Sequence, residues 1–120
     1  VLVNTGDKGR PFEFRVLANN AQIAPVIDSE MIDIDGDENR EMVIVGNIYN
    51  TEVETPRYDA GSGLVIKSGK EDLVYENYSE TGLYAPNNAK SIAEIEIGDD
   101  KYLIVGNNNG KLQLFRVNGI

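Results

Sequence analysis

The hexapeptide MVIVGN at residues 42–47 returns as YLIVGN at residues 102–107, and an internal repeat of this kind constrains the fold before any single residue does. Each copy follows a second short apolar segment, MIDID in the first case and IAEIEI in the other. The intervening turn reads GDENRE in the first copy and the shorter GDDK in the second. The flanking stretches echo one another as well. VLVNTGDKGRPFEFRVL (1–17) and LVIKSGKEDLVYENY (64–78) each run strand, Gly/Lys-rich turn, aromatic-bearing strand. KLQLFRV near the end is a shortened relative.

Within these segments the apolar residues alternate over short distances, the spacing of strands. FEFRVL sets Phe12, Phe14 and Val16 on one face, and Phe12, Phe14 and Phe115 are assigned to the core. Turn signals cut the strands at regular intervals: TGDKGRP, DGDEN, SGKED, IGDDK and NNNG. Asn107, Asn108 and Asn109 before Gly110 suit a tight turn with positive φ. No stretch keeps a helical period over a dozen positions. The expected fold is all-β, built from antiparallel four-stranded blades of the β-propeller type. Residues 1–17 read as the last two strands of one blade, 29–78 as a complete blade with a long loop at 47–63, and 89–118 as a third, shortened blade. A closed propeller takes at least about four blades, so the chain reads as a fragment of a propeller, not a closed ring on its own. It opens on the strand-like VLVN without an initiator Met or a signal-peptide pattern, as a piece processed or excised from something longer would.

Composition excludes several function classes. Lys and Arg total 11 against 20 Asp and Glu, a formal net charge of −9 that repels a phosphate backbone and argues against nucleic acid as partner. There is no Cys, hence no disulfide or thiolate site, and no His, which removes imidazole-based zinc sites, Ser-His-Asp triads and His general bases. No apolar run approaches the roughly 18 residues of a membrane span. Chemistry that remains open rests on carboxylates, Lys, Arg, Tyr or a hard metal.

The acidic stretch DIDGDENRE (33–41) points to the last of these. Calcium takes six to eight oxygen ligands, several of them carboxylate. Asp33, Asp35 and Asp37 alternate so that a curling loop turns them inward together, with Glu41 in reach to close the site and the Asn39 carbonyl as a further oxygen. Gly36 relieves the backbone where the loop is tightest. An EF-hand beginning at Asp33 would need Gly at its sixth position and Glu at its twelfth; Glu38 and Ile44 stand there. A nine-residue loop between two strands is what remains, with an affinity of about 10⁻⁴–10⁻³ M and a structural role, the pinning of a hairpin. The bland alternative is a solvated acidic turn, since turns favour the same residue types. GDDK in the second copy is too short for such a cage.

DIDGDENREMVIVGN resembles the strand–loop–strand calcium repeat of FG-GAP/VCBS-type β-propellers, the repeats of integrin α-subunits and many secreted bacterial proteins. NIYNTEVETPRYDAGSGLVI and KYLIVGNNNGKLQLFRVN are similar to the final blades of bacterial VCBS-repeat proteins that often carry an ASPIC/UnbV-type domain. The resemblance runs over nearly the whole chain. It implies a seven-bladed propeller, calcium in the hairpin between the first two strands of a blade, and export, so a secreted, periplasmic or cell-surface location. Carried to this sequence, it implies Asp33, Asp35, Asp37 and Glu41 as side-chain ligands and Asn39 as carbonyl ligand. Glu38 departs from the family's usual Gly and Glu41 from its commoner Asp.

The long loop 47–63 contributes Tyr49, Arg57, Tyr58 and Asp59 as a contact surface, Tyr and Arg being frequent interface anchors; the competing reading has the tyrosines covering a sheet edge and Arg57 paired with a local acid. The expectation is a non-enzymatic, calcium-stiffened scaffold and recognition module that binds a protein or carbohydrate through its loops. Two other readings use the same residues. One is a carboxylate-dependent polysaccharide hydrolase or part of one, the other a self-assembling structural fragment that forms homo-oligomers through exposed blade edges.

Overall fold

The computed structural model describes residues 1–69 and 72–118; Lys70 and Glu71 of the SGKED turn lie outside the described residues. Among the described residues nine strands form three antiparallel sheets that do not close into a barrel. β1 (Leu2–Asn4) pairs with β2 (Phe12–Phe14). β3 (Asp28–Ile32), β4 (Glu41–Val45), β5 (Leu64–Ser68) and β6 (Leu73–Glu76) follow one another in a four-stranded meander. β7 (Ala89–Ile97), β8 (Asp100–Asn107) and β9 (Gln113–Val117) make a three-stranded one. The all-β antiparallel expectation holds. Among the described residues no helix is long and apolar enough to cross a membrane.

From Met42 to Val45, β4 is an unbroken apolar run rather than an alternating one because both of its faces are covered. Val43 and Val45 look toward one core with Ile32 and Val65, and meet Ala89, Ile92, Leu103 and Val105 of the third sheet there. Ile44 looks the other way, with Leu64 and Ile66, into a second core roofed by Leu17, Ala21, Leu73 and Tyr75. The register Val43↔Val65 and Ile44↔Leu64 keeps the two sets apart, since side chains alternate along a strand. Leu83 and Ala85 of the linker between the sheets complete the shared core.

Polar links at the strand ends reinforce that contact. The Asp28 carboxylate accepts the Ile92 N–H at 2.9 Å. The register of β7 shifts between Ala89 and Ser91, a bulge that leaves Lys90 free to send its ammonium to the Asn47 carbonyl at 2.7 Å. Asn47, fully buried, holds the strand end from the other side: the two hydrogens of its amide NH₂ are shared among the carbonyls of Gly61 (2.9 Å), Pro86 (3.0 Å) and Asn87 (3.0 Å), and its oxygen accepts the Gly61 N–H at 2.9 Å.

One expectation needs correction. Phe12 and Phe14 are exposed, at 58% and 72%, instead of lying in the core, and Val16 is equally exposed at 72%. Alternation gives the β1–β2 hairpin an apolar face, but among the described residues these strands pair only with each other and no second sheet covers that face. Phe115, which does have a facing layer, packs against the shared core. The absence of a helical period also hides one turn of helix, α1 (Tyr78–Thr81). Its capping box is complete: the Asn77 side chain accepts the Ser79 N–H at 2.8 Å and Glu80 accepts the Asn77 N–H at 2.8 Å.

Candidate metal site and loop surface

Between β3 and β4 the chain leaves the sheet and curls through residues 33–40. Asp33 organises the curl, its two carboxylate oxygens accepting the Gly36 N–H at 2.7 Å and the Glu38 N–H at 3.1 Å. Asp37 takes the next turn, accepting the Asn39 N–H at 2.8 Å and the Asn39 side-chain NH₂ at 3.0 Å. These Asn39 donors, the side-chain one foremost, hold the Asp37 carboxyl below its ordinary pKa. The benefit of that ionised carboxylate is present above the ordinary carboxylate range and lost as the pH falls through the lowered value.

The curl gathers one carboxylate oxygen each from Asp33, Asp35 and Asp37 within 4.8 Å of one another, a group that could hold a metal ion. Asp35 is the centre of interest. Its Oδ1 is buried without a hydrogen-bond partner, while Oδ2 takes the Lys67 ammonium at 3.2 Å. Lys67 also reaches Glu76 at 3.2 Å, so a single ammonium bridges the loop to β6. Burial works against that charge and the hydrogen bonds to Glu76 and Asp35 outweigh it, leaving the Lys67 pKa raised. An unpaired buried carboxylate oxygen beside two other carboxylates is a donor set suited to a hard cation.

Glu41 goes elsewhere. It is 4% exposed, and its carboxylate accepts the Ile34 N–H at 2.9 Å across the mouth of the loop. Glu41 is the first residue of β4, so the pleat of the sheet rather than the curl of the loop directs its side chain. It still lines, with Asp35, Asp37 and Asn39, an open recess of about 440 Å³ beside the loop.

Glu38 adopts a left-handed φ of +69°. A side chain there carries backbone strain that glycine escapes. Glu38→Gly is therefore expected to stabilise the protein by about 0.5–1 kcal/mol after the entropy of a freer unfolded chain is subtracted. A higher midpoint of chemical denaturation at unchanged slope is the readout; a lower midpoint would show that the Glu38 side chain supports the loop.

The long loop is a small structure of its own. Ile48 and Tyr58 exchange backbone hydrogen bonds of 2.8 Å each, and the Thr51 hydroxyl donates to the Thr55 carbonyl at 2.7 Å inside the turn they close. Arg57 pairs with Asp59 at 2.8 Å and lies over the Tyr49 ring, 4.4 Å from its centroid. The Tyr49 hydroxyl donates to the Pro86 carbonyl at 3.1 Å. Tyr49 is thus held against the linker and Arg57 is locally paired, while Tyr58 stays 51% exposed. All four residues sit together on one loop.

In the second repeat copy the β7–β8 connection is a tight turn, and Asp100 is tied to Arg116 at 2.6 Å. Sequence reasoning did not single out Lys67 or the Asn47 network. Lys67 gives no local signal, because it meets Asp35 from a strand far along the chain. Asn47 did give one, its recurrence in both VGN segments. Comparison with protein-family models, with curated proteins and with solved structures finds no match to this chain.

Proposed function

We propose that this chain is a calcium-stiffened, β-propeller-type scaffold and recognition module of an exported protein, non-enzymatic, presenting its loops to a protein or carbohydrate partner. The observation that carries the metal part of the reading is the Asp33–Asp35–Asp37 group around the unpartnered oxygen of Asp35. Three carboxylates this close repel one another without a cation, and the net charge of −9 draws divalent cations toward the molecule. The ion would lock the curl to the β3–β4 hairpin and displace Lys67 from Asp35. The recognition part rests on Tyr49, Arg57, Tyr58 and Asp59, gathered on one ordered loop.

Calcium titration followed by thermal melts tests it. At about 10 mM calcium, sites of about 10⁻⁴–10⁻³ M affinity add about 1.4–2.7 kcal/mol of stability. Asp35→Ala abolishes that increment, and Lys67→Met, which removes the competing ammonium, strengthens it. Equal melting points with and without calcium, in wild type and Asp35→Ala alike, would refute the site.

One observation favours a second role. Leu2, Phe12, Phe14 and Val16 expose apolar surface on a hairpin whose outer edges are unpaired among the described residues, an arrangement that invites pairing with further copies. Light scattering over a concentration series separates the two: a strict monomer argues against self-assembly.

A further inference from the structure

Asn47 and Asn107 close the two repeated VGN segments, yet only Asn47 has its whole side-chain amide engaged. Around Asn47 the long loop returns, and Gly61 brings both an N–H and a carbonyl to that amide. Asn107 donates to the Lys111 carbonyl at 2.9 Å and to Gln113 Oε1 at 3.1 Å, but its Oδ1 is buried and meets no donor among the described residues. The reason lies in the connections. β8 turns directly into β9 through residues 108–112, so among the described residues no segment crosses Asn107 as loop 48–63 crosses Asn47.

A second unpaired oxygen belongs to a residue that lines the same cleft. Asn88 is 4% exposed and its Oδ1 has no hydrogen-bond partner among the described residues. Its backbone is fixed, the carbonyl accepting the Asn108 N–H at 2.9 Å. Asn88 and Asn107 line one cleft of about 410 Å³, walled further by Tyr49, Asn50, Asn108 and Lys111. That size lies within the roughly 300–1,000 Å³ of small-molecule sites. Native proteins rarely leave a buried acceptor unmatched, and two in one cleft call for a donor from outside.

We propose that this cleft binds a neutral saccharide, whose hydroxyl groups donate to the buried amide oxygens of Asn88 and Asn107. The lining selects that class. Among the described residues no carboxylate lines the cleft and one lysine does, so a cation finds no counter-charge. Phosphate or another anion brings mainly acceptors and leaves both oxygens unmatched. A hydroxyl donates and accepts, and its hydrogen rotates to meet an acceptor. Peptide N–H groups, by contrast, are held in fixed alternation along a strand. At the rim the exposed amides of Asn50 and Asn108 serve the remaining hydroxyls, and Tyr49, anchored on Pro86, forms a fixed wall. The cleft stands at the end of the sheets opposite the acidic loop. This inference rests on the recognition role proposed above and gives it a ligand class and a place.

The test is a nuclear magnetic resonance titration of the ¹⁵N-labelled chain with glucose, galactose, mannose and N-acetylglucosamine, with sodium phosphate as control, in calcium-containing buffer. At least one sugar is expected to shift the side-chain NH₂ signals of Asn88 and Asn107 saturably, while phosphate leaves them in place. Asn88→Ala weakens binding about tenfold. Since truncating a buried residue can also unsettle the fold, Asn50→Ala at the exposed rim is the second variant, expected to weaken binding about threefold at an unchanged melting temperature. Silence with every sugar, meaning that the cleft holds only water, overturns the proposal, as do equal shifts with phosphate. Shifts confined to residues 51–59 overturn this site while leaving the recognition role standing. Calcium stabilisation measured on the same samples reports separately on the scaffold reading.

Discussion

Asn47→Ala is expected to lower the unfolding free energy by about 3–4 kcal/mol and the melting temperature by about 10 °C or more. The truncation removes few atoms, but it strands the Gly61 N–H and the carbonyls of Gly61, Pro86 and Asn87 at a position with no solvent access. Those groups belong to different segments: the long loop and the linker into the third sheet. One side chain therefore ties the end of β4 to both. Asn107→Ala is the internal control. Among the described residues its amide serves only Lys111 and Gln113, both in the adjoining turn and strand, and its loss is expected to cost about 1 kcal/mol. Thermal and denaturant unfolding of the pair checks the comparison. Equal losses would mean that the linker contacts of Asn47 contribute little.

Gly46→Ala is expected to be about as damaging, at about 3 kcal/mol or more. A Cβ built on Gly46 would collide with the Pro25 carbonyl and lie 2.9 Å from the Ile27 nitrogen, so it meets backbone on both counts. That backbone has little freedom, because proline restricts φ at Pro25 and the Ile27 N–H is bonded to the Val45 carbonyl at 2.9 Å. Relief would require the strand entering β3 to move away from β4. The repeat supplies the contrast once more. At Gly106 the obstacle is the Ser91 hydroxyl, which can rotate aside, and Gly106→Ala is expected to cost under about 1 kcal/mol. A Gly46→Ala protein that melts near wild type would show that the segment 24–27 yields more easily than its contacts indicate.

These residues show what sequence reasoning could and could not reach. Strand identity was legible because MVIVGN and YLIVGN repeat and because apolar alternation is a local property. The convergence of Asp33, Asp35 and Asp37 was legible for the same reason, since alternating positions in one curl need no distant partner. Burial of the β1–β2 face was not, because alternation marks an apolar face without saying whether another layer covers it. Glu41 lies at the boundary of the two regimes: spacing puts it near the loop, and strand pleating turns its carboxylate onto the Ile34 N–H. The partners of Lys67 and Asn47 come from remote segments and leave no trace in local pattern. α1 escaped because a single turn is too short for periodicity, although Asn77 and Glu80 spell its capping signature.

The separateness of the β1–β2 hairpin has a kinetic consequence. The two larger sheets share one core and are expected to open as a single cooperative unit. The hairpin stands outside it, linked onward through Leu17 and the Ala18 N–H bonded to the Tyr75 hydroxyl at 3.1 Å. Native-state hydrogen exchange should therefore resolve two populations of protected amides. Those of Leu2–Asn4 and Phe12–Phe14 exchange through frequent local fraying, and those of β4, β5 and β8 wait for global unfolding.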